Sequence, residues 1–233
     1  KICLKNLIMM SKNIFVACDV SSQKEILELL QKIHENIAGI KIGLQYITKH
    51  SPEDIKELAK FKKPIFYDAK FFDIKNTLIE SIKSLKDLNI DYATVHLLNG
   101  LEALESANKI ANDINIKLLG VTVLTSFDND ELNKLGFKDQ VEKQVLRLIK
   151  IADRANLYGV ICSPLEIKMI KEIAPKLKCF TPGIRQNKIK NDQKRTMTAK
   201  QALNAGSDYL IIGRPITEGD PKKNIKEILS SIN

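Results

Sequence analysis

Short apolar runs alternate with longer amphipathic stretches along nearly the whole sequence. The apolar runs predict strands, and the stretches between them carry the spacing of helices that bury one face. The predicted strands cover residues 14–19, 39–43, 64–70, 92–96, 117–124, 158–163, 178–181 and 209–213. The predicted helices cover residues 24–36, 52–61, 74–88, 100–110, 138–156, 164–173, 198–205 and 221–232. Eight such units in a chain of 233 residues favour an α/β fold, a (β/α)8 TIM barrel in a single domain.

An open, doubly wound parallel sheet is the alternative fold. It is disfavoured because no Gly-x-Gly-x-x-Gly motif follows the first apolar run. The Met9-Met10 pair stands just before that run, which suggests that residues 1–12 are an N-terminal extension and that residues 13–233 form the barrel.

Composition indicates a protein that acts on a small molecule. The net charge is +9, but the lysines are interleaved with acidic residues at helical spacing, as on solvated helix faces, so no nucleic-acid partner is expected. No apolar run approaches the roughly 18 residues that cross a bilayer, and the first ten residues lack a small-residue cleavage site, so we expect a cytoplasmic protein without a membrane partner. The four cysteines are scattered without metal-ligand spacing, and no metal site is expected.

Charged residues stand at the ends of the first three predicted strands. Asp19 ends the first, Lys41 lies within the second, and Asp68 and Lys70 end the third, with Asp73 just beyond. Unpaired charge beside a core is costly, and active sites of TIM barrels collect at the carboxyl ends of the strands. We therefore expect these side chains to meet in one catalytic array, in which flanking carboxylates keep Lys70 protonated and able to act as an acid.

The last two predicted strands are followed by glycine and arginine. Gly183 and Arg185 follow the seventh strand, and Gly213 and Arg214 follow the eighth. Glycine lets backbone N–H groups approach an anion and arginine offers a planar pair of donors, which predicts a phosphate site. The polar loop of residues 186–196 is long enough to close over a ligand, with the amide of Gln193 as its candidate contact.

Taken together, these motifs resemble the orotidine 5′-phosphate decarboxylase family. The resemblance rests on Asp19 in Ala-Cys-Asp-Val, Lys41 in Ile-Lys-Ile-Gly, Asp68-x-Lys70-x-x-Asp73 followed by Asn76-Thr77, Leu124-Thr125-Ser126, Thr181-Pro-Gly-Ile-Arg185 and Gly213-Arg-Pro-Ile-Thr217. It covers about residues 14–221. Cys18, Phe72 and Lys75 depart from the family pattern, and none of them removes a charged group of the array.

The resemblance implies decarboxylation of orotidine 5′-phosphate to UMP in de novo pyrimidine biosynthesis, without metal or organic cofactor. Lys70 would protonate a carbanion at C6 of the pyrimidine, Asp68 would lie near the departing carboxylate, and Lys41 and Asp73 would complete the charge network.

The same resemblance assigns substrate contacts. Asp19 and Lys41 would reach the ribose, and Asp73 and Thr77 would act in the partner's site of a homodimer. The remaining substrate-binding residues would be Thr125 and Ser126 near the pyrimidine, and Pro182, Gly183, Arg185, Gln193, Gly213 and Arg214 around the phosphate.

Two other functions fit parts of the sequence. A related barrel could act on a keto-sugar phosphate through a metal-stabilised enediolate, because Asp68 and Lys70 would also suit that chemistry. A basic, catalytically silent barrel that binds polyanions is the second alternative, and salt-sensitive binding to generic nucleic acid would mark it.

Overall fold

A closed parallel barrel forms the centre of the molecule. The structure, a computed structural model, describes residues 13–20, 22–185 and 196–232. The strands are β1 (Ile14–Ala17), β2 (Gly39–Gly43), β3 (Ile65–Phe71), β4 (Tyr92–His96), β5 (Lys117–Val121), β6 (Gly159–Ile161), β7 (Lys178–Thr181) and β8 (Tyr209–Ile212). Each strand pairs with the next one in the chain, and β8 pairs with β1 to close the barrel. The predicted (β/α)8 TIM barrel is confirmed. The predicted extension over residues 1–12 falls outside the described residues.

Helices surround the barrel. The described α-helices are α1 (Gln23–Ile33), α2 (Leu44–Ile47), α3 (Pro52–Glu57), α4 (Lys75–Lys83), α5 (Leu101–Asp113), α6 (Asn129–Lys134), α7 (Val141–Arg154), α8 (Ile167–Ile173), α9 (Ala199–Asn204), α10 (Arg214–Thr217) and α11 (Pro221–Ile232). Short 3-10 helices cover His34–Asn36, Leu58–Phe61, Leu97–Asn99 and Pro164–Glu166. The main helices lie where amphipathic spacing predicts them, whereas α2, α6 and α10 are additional short helices in the connections.

Several strands end earlier than the apolar pattern predicts. β1 stops at Ala17 and β5 at Val121, although apolar or small residues continue past both ends. Val123 and Leu124, which lie beyond the end of β5, line a cavity at this end of the barrel. Apolar residues beyond the end of a strand can therefore line the cavity without belonging to the strand.

Aromatic rings fill the barrel interior beneath that cavity. Phe15, Phe66, Tyr92 and Phe180 are buried together with Ala17, Leu119 and Ile211. The ring of Phe15 meets those of Phe66 and Tyr92 edge-on, with centroids 6.1 and 5.5 Å apart, and Phe180 stacks on Tyr209 at 4.5 Å. We call the rings of Phe15, Phe66, Tyr92, Tyr158, Phe180 and Tyr209 the aromatic floor.

The register between β3 and β4 is interrupted at one place. Tyr67 pairs with Ala93 and Phe71 pairs with Val95, so Asp68, Ala69 and Lys70 on β3 lie opposite Thr94 alone on β4. Lys70 has a φ of 51°, in the left-handed region that L-residues other than Asn and Asp rarely adopt. Because of this bulge, Lys70 does not take part in the regular pairing of β3 with β4.

Cys18, Cys162 and Cys179 are free and buried. Among the described residues no helix combines the length and apolar character needed to cross a bilayer.

Candidate active site

A cavity of about 380 Å³ opens at the carboxyl ends of the strands. Ten predicted site residues line it, namely Asp19, Lys41, Asp68, Lys70, Thr125, Pro182, Gly183, Arg185, Gly213 and Arg214. Apolar side chains that the sequence did not single out complete the wall, including Val121, Val123, Ile161 and Ile211. The cavity is therefore lined by both charged and apolar side chains.

Four charged side chains form a row in this cavity. Lys41 Nζ lies 3.1 Å from Asp19 Oδ1 and 3.5 Å from Asp68 Oδ2. Lys70 Nζ donates to Asp68 Oδ1 at 2.9 Å. The signs alternate along the row, so each buried charge has an opposite neighbour that offsets part of its desolvation cost.

Burial and pairing act in opposite directions on the two innermost groups. Burial favours neutral Asp68, but the ammonium groups of Lys41 and Lys70 outweigh it and hold the pKa of Asp68 below its usual 3.8. Burial likewise favours neutral Lys41, but the carboxylates of Asp68 and Asp19 prevail and raise the pKa of Lys41 above 10.5. Both groups are therefore charged throughout the neutral pH range.

Gly43, at the end of β2, leaves room for this row. A Cβ at Gly43 would lie 3.0 Å from both Asp19 Oδ1 and Lys41 Nζ. Glycine thus permits the close approach of Asp19 and Lys41.

A threonine that sequence reasoning did not select contacts the array from β4. Thr94 Oγ1 donates to Asp68 Oδ1 at 3.0 Å and accepts from the backbone N–H of Lys70 at 2.8 Å. Its position in an apolar strand gave no distinguishing signal, because buried threonines are common there.

Asp73, Thr77 and Ser126 are placed differently from the other predicted residues. All three are exposed, and none is among the described residues that line the cavity. The backbone N–H of Asp73 donates to Asn99 Oδ1 at 3.1 Å, and Asn99 Nδ2 donates to the carbonyls of Phe71 and His96. Asn99, which the sequence did not single out, thereby fixes the turn after β3.

The two arginines that line the cavity follow β7 and β8. Gly183, with a φ of 81°, lets the chain turn sharply after β7. Arg185 Nη1 donates to the carbonyl of Ile184 at 2.8 Å, and its backbone N–H donates to Met197. Arg214 is the first residue of α10, directly after Gly213. Gln193 lies outside the described residues.

The comparisons with known proteins agree with this geometry. The sequence model of the orotidine 5′-phosphate decarboxylase / HUMPS family matches residues 12–228. The chain belongs to this family. It is 39% identical to orotidine 5′-phosphate decarboxylase of Wolbachia pipientis subsp. Culex pipiens over 221 residues, which are 94% of this chain and 98% of that protein. It is 38% identical to the enzyme of the same name from Idiomarina loihiensis, over 94% of this chain and 97% of that protein.

A solved member of the decarboxylase family has the same fold. The crystal structure of orotidine 5′-phosphate decarboxylase from Lactobacillus acidophilus superposes with a TM-score of 0.82 at 33% identity, over 95% of this chain and 99% of that one. The resemblance carried by the motifs is therefore confirmed, as is the prediction that the chain is an enzyme of the orotidine 5′-phosphate decarboxylase family.

Proposed function

We propose that this chain converts orotidine 5′-phosphate to UMP and CO2, the decarboxylation step of pyrimidine biosynthesis. The observation that carries the proposal is the alternating row Asp19, Lys41, Asp68 and Lys70 in a cavity that Arg185 and Arg214 also line. Such a row places an ammonium donor beside a carboxylate, and the arginines suit a phosphate at the other end of the substrate.

Lys70 acts as the proton donor in this proposal. The bond from C6 to the carboxylate breaks, its electron pair stays on C6, and CO2 leaves. The Lys70 ammonium stabilises the developing charge and then gives its proton to C6, leaving a neutral amine that regains a proton from solvent. The sequence of steps requires neither metal nor organic cofactor.

The substrate spans the cavity from Lys70 to the arginines. Arg185, Arg214 and the backbone around Gly213 bind the phosphate, and the exposed Asp19 carboxylate with Lys41 binds the ribose hydroxyls. Thr125 faces the pyrimidine edge. Binding the phosphate far from C6 supplies energy that orients the ring at Lys70.

A homodimer completes the site. Asp73 and Thr77 are exposed, outside the cavity of their own subunit, as a contribution to a partner's site requires. Around them Phe72 is 62% exposed, Ile74 is 73% exposed and Leu98 is 42% exposed. This apolar patch suits contact with a second copy of the chain.

The keto-sugar phosphate alternative requires a metal-held enediolate. Asp68 is poorly suited to hold that metal, because Oδ1 already accepts from Lys70 and Thr94 and Oδ2 faces Lys41. An assay with orotidine 5′-phosphate and excess chelator separates the two functions. We expect undiminished loss of the substrate's pyrimidine absorbance. Absence of turnover by folded protein, or turnover that depends on an added divalent cation, contradicts the proposal.

The role of Lys70 is tested by Lys70→Ala. We expect kcat to fall by at least about 1,000-fold, because both charge stabilisation and the proton donor are lost. Lys134→Ala is the matched control, since Lys134 is exposed on α6 and pairs with Glu131 away from the cavity. Steady-state kinetics with a folded Lys70→Ala variant that retains substantial turnover would remove Lys70 from this role.

A further inference from the structure

Thr94 lies where β4 faces the bulge of β3. It is the one β4 residue opposite the three-residue bulge of β3 that carries both Asp68 and Lys70. Its residue exposure is 0%, so its hydroxyl is shielded from water and depends on protein partners.

The hydroxyl of Thr94 joins the two members of the charged pair. It accepts from the Lys70 N–H at 2.8 Å, where the interrupted register removes the regular pairing of β3 with β4. Since its oxygen accepts there, its own proton is directed to Asp68 Oδ1 at 3.0 Å. One side chain thus fixes the backbone of Lys70 and the carboxylate orientation of Asp68.

We propose that Thr94 is a positioning residue that sets the geometry of the Asp68–Lys70 pair for proton transfer. The inference rests on the proposed function, because it assumes that Lys70 protonates the substrate. Without the hydroxyl, the left-handed Lys70 backbone loses the partner that holds it, and Asp68 Oδ1 loses one of its two donors, so that only Lys41 and Lys70 orient the carboxylate. A proton donor displaced by even a fraction of an ångström slows the transfer.

Substitutions that separate shape from hydrogen bonding test this role. Thr94→Val keeps the volume and loses both hydrogen bonds, whereas Thr94→Ser keeps the hydroxyl and loses the methyl group. We expect kcat to fall about 10- to 100-fold in Thr94→Val, with KM changed less than threefold, and about threefold or less in Thr94→Ser. Recovery by serine ties the loss to the hydroxyl.

Thr122→Val is the matched control. Thr122 is also buried, at 1% exposure, and its Oγ1 donates at 3.1 Å to the carbonyl of Ile161, away from the charged row. The kcat of Thr122→Val should stay within about twofold of that of the unsubstituted enzyme. Thermal unfolding of Thr94→Val and Thr122→Val shows whether the two variants are equally stable.

The pH profile supplies a readout that a merely structural threonine does not move. The groups around Asp68 are Lys41 from β2, Lys70 from β3 and Thr94 from β4, with Asp19 beyond Lys41 and His96 near Lys70. Since the Thr94 hydroxyl stabilises the ionised carboxylate of Asp68, Thr94→Val should raise the pKa of Asp68. The acidic limb of kcat/KM at which Asp68 gains a proton should therefore move to higher pH.

Three results would overturn the inference. These are kcat of Thr94→Val within twofold of the unsubstituted enzyme, equal losses in Thr94→Val and Thr122→Val, and a Thr94→Ser variant as impaired as Thr94→Val. If Thr94→Val does not fold, Thr94→Ser and Thr94→Ala decide, because they differ by the hydroxyl alone. Failure of the proposed function is distinct, since the unsubstituted protein would then not decarboxylate orotidine 5′-phosphate.

Discussion

Asp68 and Lys41 determine each other's ionisation. Asp68 holds a lowered pKa because of Lys41 and Lys70, and Lys41 holds a raised pKa because of Asp68 and Asp19. Asp68 therefore stabilises the fold above pH 3.8, and this contribution is lost as pH falls through its lower folded-state pKa. Lys41 stabilises the fold below pH 10.5, and this contribution is lost as pH rises through its higher folded-state pKa.

Asp68→Asn tests this linkage. The free energy of unfolding should drop by about 3 kcal/mol at neutral pH, because the buried Lys41 ammonium and the partly buried Lys70 ammonium lose their shared carboxylate. Below pH 3.8 the difference from the unsubstituted protein should shrink, because the unfolded chain binds a proton at Asp68 there, whereas the folded protein binds it only at its lower pKa. Urea unfolding at several pH values measures the difference, and a constant difference between pH 7 and pH 3 would contradict the assigned pKa.

Arg214→Ala tests the phosphate contact. We expect KM to rise about 10- to 100-fold, the effect of losing a charged hydrogen bond, with a smaller change in kcat. Arg154→Ala is a suitable control, because Arg154 is an exposed residue at the end of α7 and does not line the cavity. Steady-state kinetics in which KM for orotidine 5′-phosphate is unchanged would exclude Arg214 from phosphate binding.

At the scale of elements, periodicity revealed the barrel but not its irregularities. Strand and helix positions followed from hydrophobic spacing, since each βα unit buries one helix face on one strand. The bulge in β3 could not be predicted, because Asp68, Ala69 and Lys70 continue the strand pattern and no neighbouring residue indicates a positive φ at Lys70. Asp68 and Lys70 were expected to meet at the end of this strand, and they do so within the bulge.

The site was predictable where residue type is itself unusual. Charges in apolar runs were enough to identify the row of Asp19, Lys41, Asp68 and Lys70 from the sequence. Thr94 and Asn99 were not predicted, because residues of these types are common in strands and turns and their partners on β3 and the turn after it lie 24 to 28 residues away in the chain. Long-range pairing of this kind requires the register between strands.

Gly39→Ala tests how tightly β2 passes the aromatic floor. A Cβ at Gly39 would lie 2.2 Å from Cε1 of Phe15, a ring held edge-on by its neighbours. We expect a loss of about 1–3 kcal/mol in the free energy of unfolding, as for other overpacked cores. Gly136→Ala provides the contrast, because no atom of the described residues lies within 4 Å of its Cβ position, although its φ of 86° adds backbone strain. Equal stability of Gly39→Ala and the unsubstituted protein would show that the aromatic floor can rearrange at little cost in free energy.

At the scale of the whole molecule, the proposed dimer makes the activity of each subunit depend on its partner. Neither Asp73 nor Thr77 lines the cavity of its own subunit among the described residues. Each site would then draw Lys70 from one chain and Asp73 from the other, so the enzyme should lose activity on dissociation.

Mixing two inactive variants tests this arrangement. Lys70→Ala and Asp73→Ala subunits, unfolded and refolded together in equal amounts, should regain about one quarter of full activity, because random pairing leaves that share of sites intact. Each variant refolded alone is the control. A mixture no more active than the sum of its components would place Asp73 outside the partner's site.

The aromatic floor also gives the molecule an optical reporter. The sequence has five tyrosines and no tryptophan. Three of those tyrosines, Tyr92, Tyr158 and Tyr209, belong to the floor, with Tyr92 and Tyr158 centroids 5.8 Å apart. Near-ultraviolet circular dichroism of tyrosine, which disappears when fixed packing is lost, should therefore follow the closing of the barrel itself, without an indole signal to obscure it.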